Sequence, residues 1–101
     1  MADTFAALAD PNRRQIVALL AEQDLTVNEI ADQFDISRPA VSKHLKILRE
    51  SGLVVEEKVG REHRQRFNGA ALGPVSDWIT RYESFWEQRL NTLKGLVEDK
   101  E

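Results

Sequence analysis

The chain has 101 residues, with 14 Lys and Arg against 17 Asp and Glu, two His and no Cys. The length fits one domain over residues 1–101, short enough that pairing with a second copy would add useful core. Absence of cysteine excludes a disulfide framework, a thiol nucleophile and a thiolate metal site, and the longest apolar run, Ile16 to Ala21, is too short to cross a bilayer. Met1-Ala2-Asp3-Thr4 lacks the basic start of a secretory signal, so a soluble, reducing, cytoplasmic setting without membrane contact is expected.

Asp3 to Leu8 is helix-permissive, with Phe5 and Leu8 three apart on one face. Asp10-Pro11 reads as a helix start: the carboxylate can accept free amide hydrogens, and proline lacks a donor where none is required. Ile16, Val17, Leu19 and Leu20 then mark an amphipathic helix running to Glu22. Thr26 with Glu29 three residues on forms a capping box, followed by Val27, Ile30, Ala31 and Phe34 at helical spacing. Asp35-Ile36-Ser37 interrupts this helix, and Ser37 caps another that carries Pro39 in its first turn and ends near Glu50, before Gly52.

Leu53 to Val59 turns to strand chemistry, with Leu53, Val55 and Val59 expected on the core face. Gly60-Arg61-Glu62 is the hairpin tip, and His63 to Asn68 returns with Phe67 facing the core. From about residue 72 to 98 the pattern is helical again. The fold class is therefore mainly α with a small β-hairpin. It reads as a winged helix-turn-helix (about 26–50, with the wing at about 53–68) carrying an added long C-terminal helix.

Two short helices that cross steeply need a small residue at their contact, and Ala31 supplies it. With Ile30, Phe34, Ile36, Val41, Leu45 and Leu48 turned inward, the second helix exposes Ser37, Arg38, Pro39, Ser42, Lys43 and Lys46, with Arg49 further along. Short polar and basic side chains near a helix N-terminus are what a helix in the major groove requires. Arg38 suits a bidentate pair with guanine and Ser42 suits several bases, while Lys43 and Lys46 suit phosphates. His44 either packs at the domain edge or touches a phosphate. Thr26 and Asn28, at the start of the first helix, are further candidates. The wing adds Lys58, Arg61, His63 and Arg64 around the Gly60 turn; Arg64 and Arg66 share a strand face that could instead cover the body.

The charge map agrees with this reading. From Ser37 to Phe67 the net charge is +4, whereas the remainder carries −7. A basic surface on an acidic body suffices, because phosphate attraction acts over about a Debye length, ~8 Å at physiological salt.

Ala9-Asp10-Pro11-Asn12-Arg13-Arg14-Gln15-Ile16, the run Ser37-Arg38-Pro39-Ala40-Val41-Ser42-Lys43-His44-Leu45-Lys46-Ile47-Leu48, Gly52-Leu53-Val54 and Gly60-Arg61 together resemble the ArsR family of bacterial winged-helix repressors over roughly residues 5–68. The resemblance implies a homodimeric repressor on an inverted-repeat operator in double-stranded DNA. It also implies DNA contacts at the positions just derived.

Founding members of that family sense metals through a cysteine pair in the helix-turn-helix or through His, Asp and Glu on the last helix. This chain departs from both patterns. It has Asn28-Glu29-Ile30-Ala31-Asp32 at the first position, and Asp77 with Ile79, but no histidine, on the last helix. No metal or other cofactor is expected. Ser42 and His44 are two apart on a helix and point away from each other, no phosphate-cradling loop is present, and no enzyme is expected.

Four of the seven aromatic residues, Trp78, Tyr82, Phe85 and Trp86, fall within nine positions of the last helix. With Val75, Ile79, Leu90, Leu93, Leu96 and Val97 they form a stripe at spacings of three and four. Part of it is expected to pack on the first helices through Phe5, Leu8 and Leu19. Phe5, Leu8, Trp78, Ile79, Tyr82, Phe85, Trp86, Leu90 and Leu93 are the expected dimer interface. The alternatives are a winged-helix protein-interaction module with this helix as its working surface, or a repressor released by an unidentified small molecule or metal. The operator and the releasing signal, whether an effector or a partner protein, stay open.

Overall fold

The computed structural model describes the backbone of residues 3–98 and the side chains of residues 3–95. The stripe positions Leu96 and Val97 therefore have side chains outside the described residues. In chain order the elements are α1 (Thr4–Ala7), α2 (Pro11–Glu22), β1 (Leu25–Thr26), α3 (Val27–Gln33), α4 (Arg38–Glu50), β2 (Val54–Val59), β3 (Glu62–Phe67), a 3-10 turn (Gly69–Leu72) and α5 (Gly73–Glu98).

Each of the first four helices starts on a side-chain cap. The Asp3 carboxylate accepts from the Ala6 amide at 2.7 Å, and Asp10 Oδ1 from the Asn12 and Arg13 amides at 2.8 and 3.2 Å. Thr26 and Glu29 form the reciprocal capping box, and Ser37 Oγ accepts from the Ala40 amide at 3.3 Å. These bonds satisfy amides that have no partner within the helix. The paired arginines after Asp10 close the preceding helix. Arg13 donates to the Ala7 and Ala6 carbonyls and Arg14 to the Leu8 carbonyl. One short motif thus starts α2 and caps the C-terminal end of α1.

Ile16, Ile30, Val41, Leu45, Leu48 and Leu53 are fully buried at the centre, with Phe34, Ile36 and Ala31 packed around them. The sheet is three-stranded and antiparallel, in the order β1-β3-β2. Leu25-Thr26, of which only Thr26 is read from sequence, as a helix cap, is a strand: Leu25 pairs with Gln65 and Thr26 with Arg64. Two residues are too few to show a period of two.

The strand face also differs from the expectation. Val54 is buried at 2% exposure, whereas Val55 and Val59 are 46% and 50% exposed. Leu53 lies before β2 begins, at the turn made by Gly52 with φ +84, so its burial does not set the strand's alternation. The pairing of Val54 with Phe67 sets it.

Phe5 meets Trp78 edge to face at 6.4 Å between ring centroids, and Thr4 Oγ1 donates to the Ala71 carbonyl at 3.2 Å. These contacts seat α5 on α1 and the 3-10 turn. Leu19, expected beneath the stripe, instead lines a groove between α2 and α3 with Gln15, Ala18 and Phe34. The 26-residue α5 spans ~39 Å and projects beyond the body. The molecule measures 62 × 27 × 21 Å with a radius of gyration of 18.2 Å, against ~13 Å for a compact chain of 100 residues.

Candidate nucleic-acid interface

The cap on Ser37 fixes where α4 begins, and the burial of Val41, Leu45 and Leu48 fixes which way it faces. Arg38, Pro39, Ser42, Lys43 and Lys46 are then exposed along one side. Ser37 and Thr26 use their hydroxyls as helix caps.

The start of α4 and the wing meet across a groove of about 500 Å³. Its lining brings together Thr26, Asn28, Arg38, Arg61 and His63, five of the residues singled out from sequence, with Val27, Glu56 and Glu62. A cation from the helix and another from the hairpin tip thus face one concave surface. Gly60, with φ +64, forms the tip turn that presents Arg61, a conformation only glycine adopts without strain. Lys58, across β2–β3 from His63, is exposed.

Other candidates lie outside this groove. Arg64 is half-buried and donates to the Asp24 carbonyl at 3.4 Å and to Glu62 at 3.2 Å. Arg66 pairs with Asp24 and Glu57 at 3.6 and 3.7 Å. His44 is half-buried. Partial desolvation raises the Asp10 carboxyl, but the Arg13 and Asn12 amides, with the charges of His44 and Arg13, outweigh it and hold it below its ordinary value of 3.8.

Arg49 does not continue the exposed face. It turns inward and donates to Gln65 Oε1 at 3.0 Å. Gln65 is fully buried, and its Nε2 donates to Glu56 Oε1 at 3.1 Å. That same oxygen lies 3.8 Å from His63 Nδ1. This polar chain was not singled out from sequence. Its available signal was that Gln65 shares a strand face with Phe67.

The bacterial regulatory protein, arsR family model matches residues 10–56. A transcriptional repressor of Bacillus subtilis, SdpR, is 33% identical over 81% of this chain and 91% of its own length. The chain belongs to the ArsR family. The arsenical resistance operon repressor of Escherichia coli is 45% identical over 94% of this chain and 80% of its own. An ArsR-like transcriptional regulator from Rhodococcus sp. RHA1 superposes with a TM-score of 0.71 at 38% identity, covering 91% of this chain and 87% of that one. The protein is thus a DNA-binding transcriptional repressor with the winged-helix fold, from a family of regulators and not of enzymes. Among the described residues, no helix is long and apolar enough to cross a membrane.

Proposed function

We propose that the 101 residues act as one winged-helix unit that dimerises through α1 and α5, binds an inverted-repeat operator in the cytoplasm and represses by occluding a promoter. Arg38, Ser42 and Lys43 of each protomer enter successive major grooves about one DNA turn, ~34 Å, apart. Lys46 and the α4 N-terminus hold phosphates. Arg61, with Lys58 and His63, grips the flanking backbone, and Asn28 and Thr26 line the approach.

The observation that carries the dimer is the bare aromatic face of α5. Trp86, Leu90 and Leu93 are 61%, 62% and 59% exposed, and Trp78, Ile79, Tyr82 and Phe85 are exposed beside them. A contiguous apolar face of this kind is unfavourable in water and marks an interaction surface. Buried Trp and Tyr are frequent anchors of such interfaces.

The reading also holds that repression does not respond to a metal. The residues present do not fit the family's metal sites. The chain has no cysteine, and among the described residues no group of three or more His, Asp and Glu is placed to hold an ion. His44 and His63 belong to separate elements. Equilibrium dialysis against zinc is expected to leave the protein unloaded and its DNA affinity unchanged.

Selection from a random duplex pool at physiological salt, followed by titration of the enriched sequence, tests the whole reading. An inverted repeat with half-sites about one turn apart is expected. Enrichment of a single asymmetric half-site would overturn the dimeric mode of binding.

A further inference from the structure

The β2–β3 hairpin is held from two sides only at its root. β1 pairs with β3 at Gln65 and Arg64 alone, so from His63 through the Gly60 turn to Lys58 the wing is a two-stranded ribbon. Such ribbons are strongly twisted and weakly stable by themselves. The direction of the tip therefore depends on what anchors the root.

Gln65 sits at that root, fully buried, paired with Leu25 on one side and Glu56 on the other. An apolar residue would fill this inward position without any polar group to satisfy. The carboxamide is instead bonded at both ends. It takes a hydrogen bond from Arg49 of α4 and gives one to Glu56 of β2, whose carboxylate then faces His63 at the edge of the groove. The cation on one side and the carboxylate on the other also fix which way the amide points, since its oxygen must face Arg49 and its nitrogen Glu56. The link runs from the helix facing the major groove to the ribbon carrying Arg61. The same two elements, α4 and β2, are joined in sequence by Ser51–Leu53, where Gly52 makes the turn.

We infer that Gln65 is a positioning residue for DNA binding: through Arg49 and Glu56 it sets the wing against the recognition helix, so that Arg61 reaches the backbone while α4 is in the groove. This rests on the proposed reading of α4 and the wing as the DNA surface.

A double-mutant cycle on the dimer with the selected duplex tests it. Arg61→Ala, which removes the side chain from both wings, is expected to weaken binding about tenfold per wing in the wild-type background, the scale of one charge-assisted hydrogen bond, and to lower the salt slope by about 1 per wing. In the Gln65→Leu background, the wing is already misdirected. The salt slope there starts lower, and adding Arg61→Ala changes affinity by no more than about twofold, the margin within which independent effects simply add. A residue needed only for stability would lower the melting temperature but leave the full cost of Arg61→Ala in place, and that result overturns the inference. A silent Arg61→Ala in the wild-type background would overturn the wing reading and this inference with it. Should Gln65→Leu fail to fold, Arg49→Met breaks the same link from a half-buried site and is read by the cycle alone, because it also removes a charge of its own. Loss of the Arg61→Ala effect there supports the inference, and its retention overturns it.

Discussion

Arg38 and Lys46 stand on the same exposed side of α4 and differ in what they can tell DNA. Arg38, at the first helical position and on the groove shared with the wing, has the planar fork that matches the acceptor pair of guanine. Lys46, two turns further on, presents a point charge suited to phosphate. Arg38→Ala is expected to flatten base preference at one position of each half-site, a loss of about 1–3 kcal/mol of discrimination. Lys46→Ala should weaken every duplex alike and reduce the salt slope by about 1 per protomer. Titrations of the selected duplex and a point-substituted one, each at several salt concentrations, separate the two outcomes. Arg64 and Arg66 show why charge alone does not nominate a contact. Both are cations of the wing, yet they reach Asp24, Glu57 and Glu62 on their own protein. Surface pairs of this kind contribute little to stability.

Among the elements, α3 depends most visibly on its first turn. It has seven residues, too few to be helical alone, so packing of Ile30 and the Thr26–Glu29 capping box hold it in place for α4. The Glu29 carboxylate accepts from the Thr26 amide and interacts with the Thr26 hydroxyl, and these bonds hold its pKa below the ordinary 4.5. A carboxyl depressed by folding contributes stability that is complete above its unfolded value and lost as pH falls through the folded one. Asp10, capping α2, acts in the same direction. Glu29→Gln keeps an acceptor for the Thr26 amide but no longer titrates. Urea unfolding from neutral pH to below pH 4 is expected to show a shallower loss of stability for Glu29→Gln than for the wild type. Equal slopes would mean that the capping carboxylate is not coupled to folding.

At the scale of the whole molecule, two surfaces stand apart in chemistry. The body carries the groove between α4 and the wing, and α5 projects from it with an uncovered aromatic face. Pairing two copies along α5 would bury that face and hold two recognition helices at a set separation. Each protomer's second contact then becomes intramolecular. Trp86→Glu with Leu90→Glu places two carboxylates on the face without touching the buried core, so circular dichroism should be little changed. Sedimentation equilibrium is expected to show a monomer, and affinity for the inverted repeat should fall by about 100-fold or more, the usual scale of lost bivalency. A dimer that survived both charges would place the interface elsewhere.

Local chemistry determined much of this protein from sequence alone. Asp10, Thr26 and Ser37 announce helix starts because a cap needs only residues within the next turn, and the inward positions of α4 follow from helical period. The exposed face of Arg38, Ser42, Lys43 and Lys46 follows with them. What tertiary structure decided were the contacts between distant segments. β1 exists because β3 offers it a partner some 40 residues later, and Val54 rather than Val55 is buried because of the register with Phe67. Arg49 leaves the exposed face because Gln65 is there to accept its hydrogen bond. No period or composition in either segment encodes that meeting. It appears only when the hairpin folds back against α4.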